Sequence, residues 1–373
     1  MGEGRGGALP RRPRALIVGP LPPPRGGVAA LVEAILESPL RQRWDVEVFN
    51  LSKPQQEGKP SVITAWDVAW TLLHLVQLPW RLLTRRPRVV LAEATADTGF
   101  FRDLALIIEC RALGVPVVLH WHGAPDSPQF PGSSGWRRRL FGLGVALASS
   151  VIVLGDSYRA YFEQLVPAEK LVVLPNFVDG EVFRPADAPG PAHPRLLFVG
   201  RVGPLKGVDV LLEALERART CVPDLTATLV GAGETDAALE AVRSHPAVTS
   251  GAAHLAGPLG PERADAYREA QIVVLPTRTD SFPMVVLEAM ASGVPVVASA
   301  VGAIPWMLDD GACGILVPPG SAPALAEVLV ELARDPARCA RLGAAGRARQ
   351  QAHFDARGAA AVLDRLFVRA AAV

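Results

Sequence analysis

Residues 196–217 read Leu196-Leu197-Phe198-Val199-Gly200-Arg201-Val202-Gly203-Pro204-Leu205-Lys206-Gly207, then Val208-Asp209-Val210-Leu211-Leu212-Glu213-Ala214-Leu215-Glu216-Arg217. Four consecutive apolar residues predict a buried strand, Gly and Pro punctuate a loop, and apolar residues at helical spacing follow. This unit recurs along the chain. Towards the start the apolar runs are Ala15–Val18, Val46–Phe49, Val89–Ala92, Val117–His120, Val151–Leu154 and Leu171–Leu174, with a helix predicted over Val28–Leu36. After the segment come Ala227–Val230, His254–Ala256, Ile272–Leu275, Pro295–Ala298 and Gly314–Val317. Short apolar runs alternating with helical patterns predict an α/β protein with doubly wound parallel sheets.

A stretch containing Arg184, Pro185, Pro189, Pro191 and Pro194 has linker composition and splits the alternation in two. The expected organisation is a disordered lead over 1–13, a first domain over 14–185, a second over 186–355, and a helix over 356–373 crossing back to the first domain. The lead is rich in Gly, Pro and Arg and lacks the apolar core of a signal peptide. Two such domains leave a cleft between the carboxyl edges of their sheets, where ligands of these folds bind.

Composition narrows the function. With 38 Lys+Arg against 37 Asp+Glu in 373 residues, the chain lacks the basic excess of a dedicated nucleic-acid binder. Its 4 Cys are scattered without C-x-x-C or Cys/His ligand spacing, so neither a disulfide scaffold nor a metal site is expected, and the location is expected to be cytoplasmic. Val62–Leu83 is almost continuously apolar with three Trp but is interrupted by Asp67, His74, Gln77, Pro79 and Arg81. Three readings stand: a helix packed on the first sheet, an interfacial helix at an anionic membrane face flanked by Arg85, Arg86 and Arg88, or a span.

Two segments carry chemistry. In the first, Gly200 frees a turn and Arg201 and Lys206 sit on a loop at a sheet's carboxyl edge, either converging on phosphate oxygens or standing as a solvated pair. Lys206 is the only Lys of the second half, whose other basic charges are Arg. The second segment runs Thr277-Arg278-Thr279-Asp280-Ser281-Phe282-Pro283-Met284-Val285 into a helix bearing Glu288. Asp280 or Ser281 suits a cap, Pro283 the first turn, and the exposed amides an anion. Glu288 lies among apolar residues, so it needs a partner: a sugar or ribose diol, or an Arg.

Together the segments resemble the retaining nucleotide-sugar-dependent glycosyltransferases of the family 4 (group 1) type, which have the GT-B fold. Further matching stretches are Gly26-Gly27, His122-Gly123, Pro175–Asp179, Gly231–Glu234, Gly293–Val297 and Gly314–Pro318. The resemblance implies that Arg201 and Lys206 hold the donor diphosphate and that Glu288 binds the ribose. It implies that Asp280 stands where the family has the first Glu of an E-x7-E pair, and that Gly200 and Ser281 to Val285 line the donor. Gly26 and Gly27 would admit the diphosphate and His122 would face the donor sugar, with His120 as a competitor. The chain departs from the family at Asp280 and in Gly302-Ala303-Ile304-Pro305-Trp306, which lacks a Gly and an acid. Asp97 is an acceptor-side candidate. No cofactor or metal is expected to be required. The implied partners are a nucleotide-sugar donor and a lipid-linked, polysaccharide or other glycan acceptor, with hinge closure through 185–195. A nucleotide-sugar 2-epimerase and a non-catalytic nucleotide-sugar-binding subunit are the alternatives.

Overall fold

The structure, a computed structural model, describes residues 12–23, 26–52, 65–95, 99–123, 135–187, 194–260 and 262–372. Most of residues 1–13, Asp97, and residues 188–193 of the linker lie outside these. Strands β1 (Arg14–Gly19), β2 (Asp45–Asn50), β3 (Val89–Ala94), β4 (Val117–Trp121), β5 (Ser150–Val153) and β6 (Leu171–Val173) form one sheet, ordered β2-β1-β3-β4-β5-β6. Strands β7 (Arg195–Val199), β8 (Thr226–Val230), β9 (Ala253–Gly257), β10 (Ile272–Leu275), β11 (Val296–Ser299) and β12 (Ile315–Val317) form a second, ordered β12-β11-β10-β7-β8-β9. Every pairing in both sheets is parallel. Helices cover both faces of a parallel sheet, which is why β3, β4, β5, β10 and β11 are buried along their whole length and read as continuous apolar runs.

Strand order reverses between β1 and β3 and again between β7 and β10. Loops leaving neighbouring strands diverge there and open a crevice. Side chains and backbone tie the two halves together on either side of it. The Tyr158 hydroxyl donates to the Ser281 carbonyl (3.3 Å), and the Asn176 amide donates to that of Phe282 (2.9 Å). The last helix, Ala356–Ala371, lies against the first domain. There the Trp44 indole donates to Asp364 (2.9 Å) and Phe367 packs edge-on against Trp44 at 5.3 Å.

The helix Ala65–Arg85 buries only His74, Leu78 and Leu82 against the first domain. No helix among the described residues is long and apolar enough to cross a membrane, so the spanning reading of this segment is set aside.

Candidate active site

Two loops meet at the switch point of the second sheet. The first leaves β7 at Gly200 and tightens into one turn, Pro204–Lys206, before the helix Val208–Arg219. Gly207 closes that turn at φ +73°, and a Cβ there would lie 1.9 Å from the Pro276 carbonyl oxygen. Glycine is what lets the two loops touch backbone to backbone. Glu234 accepts from the amides of Leu205 (3.1 Å) and Lys206 (3.0 Å), and Arg278 forks onto Asp209 at 2.8 and 2.7 Å. Neither brace was anticipated from sequence, although Glu234 belongs to the quoted Gly231–Glu234 stretch.

Lys206 Nζ reaches across to the second loop, 2.6 Å from Asp280 Oδ2 and 3.4 Å from the Thr279 carbonyl. Both side chains keep about one-fifth of their surface exposed (20% and 17%), so a solute can reach the pair. Arg201 is exposed and makes no hydrogen bond or ion pair among the described residues. The expected convergence of two cations is therefore only half formed: one is neutralised by Asp280 and the other stands open at the rim. The capping expectation needs correction. The helix Met284–Ala291 has Pro283 as its N-cap, and no side chain caps it. Pro283 thus precedes the first turn, and Asp280 takes the ammonium of Lys206 as its partner, a charge-assisted bond stronger than a neutral one. Ser281 and Phe282 offer their carbonyls to the first domain, Met284 is buried and Val285 half-buried.

Glu288 is 3% exposed. Arg263 donates to its Oε1 from Nε (3.2 Å) and a terminal nitrogen (3.0 Å), while the Tyr267 hydroxyl donates to Oε2 at 2.7 Å. Of the two readings of this residue, the structure shows the carboxylate paired to an Arg. Arg263 and Tyr267 lie four apart on one helix, Arg263–Glu269, so a single face delivers both donors. Burial, and then the Glu288 carboxylate, push the Tyr267 hydroxyl well above its usual pKa and keep it a donor. A small cavity of about 70 Å³ lies beside Glu288, between the first helix and the second domain.

At the switch point of the first sheet, Glu93 and His120 are register partners on β3 and β4, and His122 follows β4 directly. His122 Nε2 lies 2.5 Å and His120 Nδ1 3.1 Å from the same oxygen, Glu93 Oε2. All three residues are buried. Burial raises the Glu93 carboxyl, but His120 and then His122 outweigh it and hold the group at about 2. Burial, then His120, hold His122 below its usual value despite Glu93, so the ring is neutral near pH 7. His120 and His122 thus gather around the same carboxylate. The potential ligand atoms lie within 4.8 Å of one another, a set that could hold a metal ion and that spacing in the sequence did not reveal. As arranged, His122 bonds to Glu93 Oε2, while His120 lies close to the same oxygen without a hydrogen bond of its own. Glu93 was passed over because a lone acid in an apolar strand has no pattern of its own.

Gly26 is the N-cap of the helix Gly27–Glu37 in extended conformation. A Cβ at Gly26 or Gly27 would meet nothing within 4 Å. The fold itself makes no demand for glycine at either position.

Two facing parallel sheets with loops gathered at both switch points define the GT-B architecture. The model of the glycosyl transferase 4-like domain matches residues 14–176, and that of glycosyl transferases group 1 matches residues 193–335. A D-inositol 3-phosphate glycosyltransferase of Frankia alni is 34% identical over 326 residues, 74% of this chain and 77% of that protein. Sucrose-phosphate synthase of Thermosynechococcus elongatus superposes with TM-score 0.72 at 22% identity, over 96% of this chain and 99% of that one. Anabaena HepE, solved in complex with UDP, gives 0.72 at 19% identity over 95% and 99%. The chain belongs to the family 4, group 1 glycosyltransferases, and is an enzyme that transfers a glycosyl group.

Proposed function

We propose that this enzyme takes its sugar from a nucleoside-diphosphate sugar and transfers it, with retention of anomeric configuration, to a hydroxyl of a glycan or glycolipid. One observation carries the reading: the accessible Lys206–Asp280 pair beside the unpaired Arg201, on loops leaving the two strands that flank a switch point. Arg201 has no partner among the described residues, and its guanidinium is suited to a diphosphate. Space at Gly26 and Gly27 supports approach of the donor from the other domain. The complex of HepE with UDP and the relative named for inositol phosphate support a nucleotide donor and a polyhydroxylated acceptor.

In this mechanism the bond between the anomeric carbon and the diphosphate oxygen breaks with its electron pair on the leaving group. Arg201, Lys206 and the first-turn amides of the helix Met284–Ala291 stabilise the charge that develops there. The acceptor hydroxyl attacks the same face of the sugar and gives its proton to the departing phosphate oxygen. Asp280 holds Lys206 in place before the donor arrives. Glu288, with three donors on about four lone-pair sites, keeps one site for a ribose hydroxyl. Neutral His122, oriented by Glu93, faces the donor sugar. Closure of the lobes excludes water.

Thermal-shift titration with UDP, GDP, ADP and their sugars tests this, run on the wild-type enzyme, Lys206→Ala and Glu288→Gln. At 100 Kd a true ligand stabilises by about 2.7 kcal/mol. We expect one base to stabilise the wild-type enzyme and Lys206→Ala to lose at least tenfold in affinity. Failure of every nucleotide, or unchanged affinity in Lys206→Ala, would sink the donor assignment. A product with inverted anomeric coupling by NMR would sink retention alone.

A further inference from the structure

Twelve of the sixteen exposed large apolar side chains among the described residues lie between residues 66 and 143, on three helices of the first domain or just beyond one of them. Those helices, Ala65–Arg85, Phe100–Ala112 and Gly135–Leu147, pack side by side in that order. On the first, Val68, Leu72, Val76, Trp80 and Leu83 recur every three or four residues and form one stripe. Val76 is 73% and Trp80 70% exposed, opposite the inward-facing His74, Leu78 and Leu82. A helix apolar on its outer face as well as its inner one has a second surface to cover. Phe101 and Ile108 continue the patch on the second helix. Trp136 and Leu143 carry it onto the third, where Trp136 stacks on Phe101 at 5.8 Å.

The exposed charges on and beside these helices are predominantly basic. Arg137, Arg138 and Arg139 are consecutive and exposed, and Arg86, Arg88 and Arg111 are exposed as well. None of the six makes an ion pair among the described residues. Of the acids on the three helices, Asp67 is half-buried in the first turn of the first helix, Asp103 is buried against Arg102, and Glu109 is pushed up to about 7 by burial, so the exposed charge is predominantly basic. Trp and Arg interleaved on a broad apolar surface suit the headgroup region of an anionic bilayer, where indoles sit at the interface and guanidinium groups meet lipid phosphates.

We propose that these three helices form one membrane-docking face that seats the enzyme peripherally on anionic lipid. The inference is independent of the donor assignment. It adds to the sequence reading, which saw only the first helix, the two neighbours that turn a stripe into a face. The topology gives the face a purpose. A helix that follows a parallel strand begins at the sheet's carboxyl edge, so Phe101, Trp136 and Arg137 to Arg139 lie on the edge that carries His122. A bilayer on this face therefore lies beside the sheet edge that carries His122, where a lipid-linked acceptor would meet the donor sugar.

The test uses the full chain and co-sedimentation with vesicles of phosphatidylcholine alone or with 30 mol% phosphatidylglycerol (about a physiological anionic load). Two variants are compared with wild type: Val76→Asp/Trp80→Asp, and Arg137→Glu/Arg138→Glu/Arg139→Glu. Each alters exposed side chains, so an unchanged melting temperature verifies the fold before binding is read. Wild type should partition onto the anionic vesicles, and each variant should bind at least tenfold more weakly. Added salt should weaken wild-type binding and should matter less to the arginine variant. Three results overturn the proposal: no partition of wild type onto anionic vesicles, binding undiminished in both variants, or a concentration-dependent dimer in light scattering that Val76→Asp/Trp80→Asp abolishes. The last would mean that a second copy of the chain covers the face.

Discussion

Replacing Gly302 by Ala tests whether the second donor loop is set by backbone contact. Gly302 has φ +54°, and a Cβ built on it would sit 1.9 Å from the Asp280 carbonyl oxygen and 3.1 Å from that of Ser281. Real Cβ atoms do not approach within 3.0 Å, so the Asp280 backbone must retreat by at least the missing 1.1 Å. The left-handed conformation itself costs an alanine roughly 1–2 kcal/mol. That loss falls on stability, whereas the displacement falls on the Asp280 carboxylate and, through it, on Lys206. A shift of about 1 Å in a positioning group can lower turnover by about 100-fold, equivalent to about 2.7 kcal/mol of transition-state stabilisation. We therefore expect Gly302→Ala to lose about two decades in kcat/KM for nucleoside-diphosphate release. Gly320→Ala is the control, because Gly320 has a similar φ of +77° but nothing within 4 Å of its built Cβ. It should show the strain in urea denaturation and keep its activity. Equal turnover in the two variants would refute the idea that this contact positions the carboxylate.

Two further outcomes follow from buried titratable groups. Glu93→Gln should cost about 1.5–3 kcal/mol in urea denaturation, the range for a hydrogen bond to a charged group, and should lower kcat more than the donor KM. The His122 ring should then populate both tautomers, visible in its imidazole nitrogen shifts, and unchanged shifts would count against Glu93 as the positioning residue. His74 is 2% exposed, and burial, then Arg102, lower its pKa from 6.5 to about 4. The unfolded chain therefore binds a proton there that the folded one refuses. Stability is full above pH 6.5 and declines as pH falls towards 4, by at most about 3 kcal/mol from this group. His122 adds to the same slope, and His74→Leu should flatten it; a stability profile identical in the variant over that range would exclude His74 as a contributor.

Much of the architecture was legible because parallel sheets demand it. Strands buried on both faces must be apolar throughout, so the runs Leu196–Val199 and Ile272–Leu275 announce themselves in one dimension. Gly and Pro mark where those runs end, and Arg201, Lys206, Asp280 and Glu288 were found by their distance from such ends. Partners were less legible. Asp280 was read as a cap because local rules favour Asp before a helix, whereas a lysine 74 residues away was the stronger claim on its charge. Glu288 needed a partner on any reading, but Arg263 and Tyr267 were invisible as donors until a helix delivered them to the same carboxylate. Glu93 carried no signal at all, since strand pairing alone brings it beside His120.

The amino-acid order by itself determined which segments become strands and helices and which loops carry charge at a sheet edge. These are local properties, set by periodicity and by the few residues that permit or forbid a turn. Tertiary structure alone decided how the charges pair: Lys206 with Asp280, Arg263 and Tyr267 on Glu288, and two histidines on one buried carboxylate. It also gathered three helices into one exposed apolar face. A burial pattern is written in the spacing of neighbours along the chain, but a partnership between charges depends on which loops the crossovers bring to the same edge.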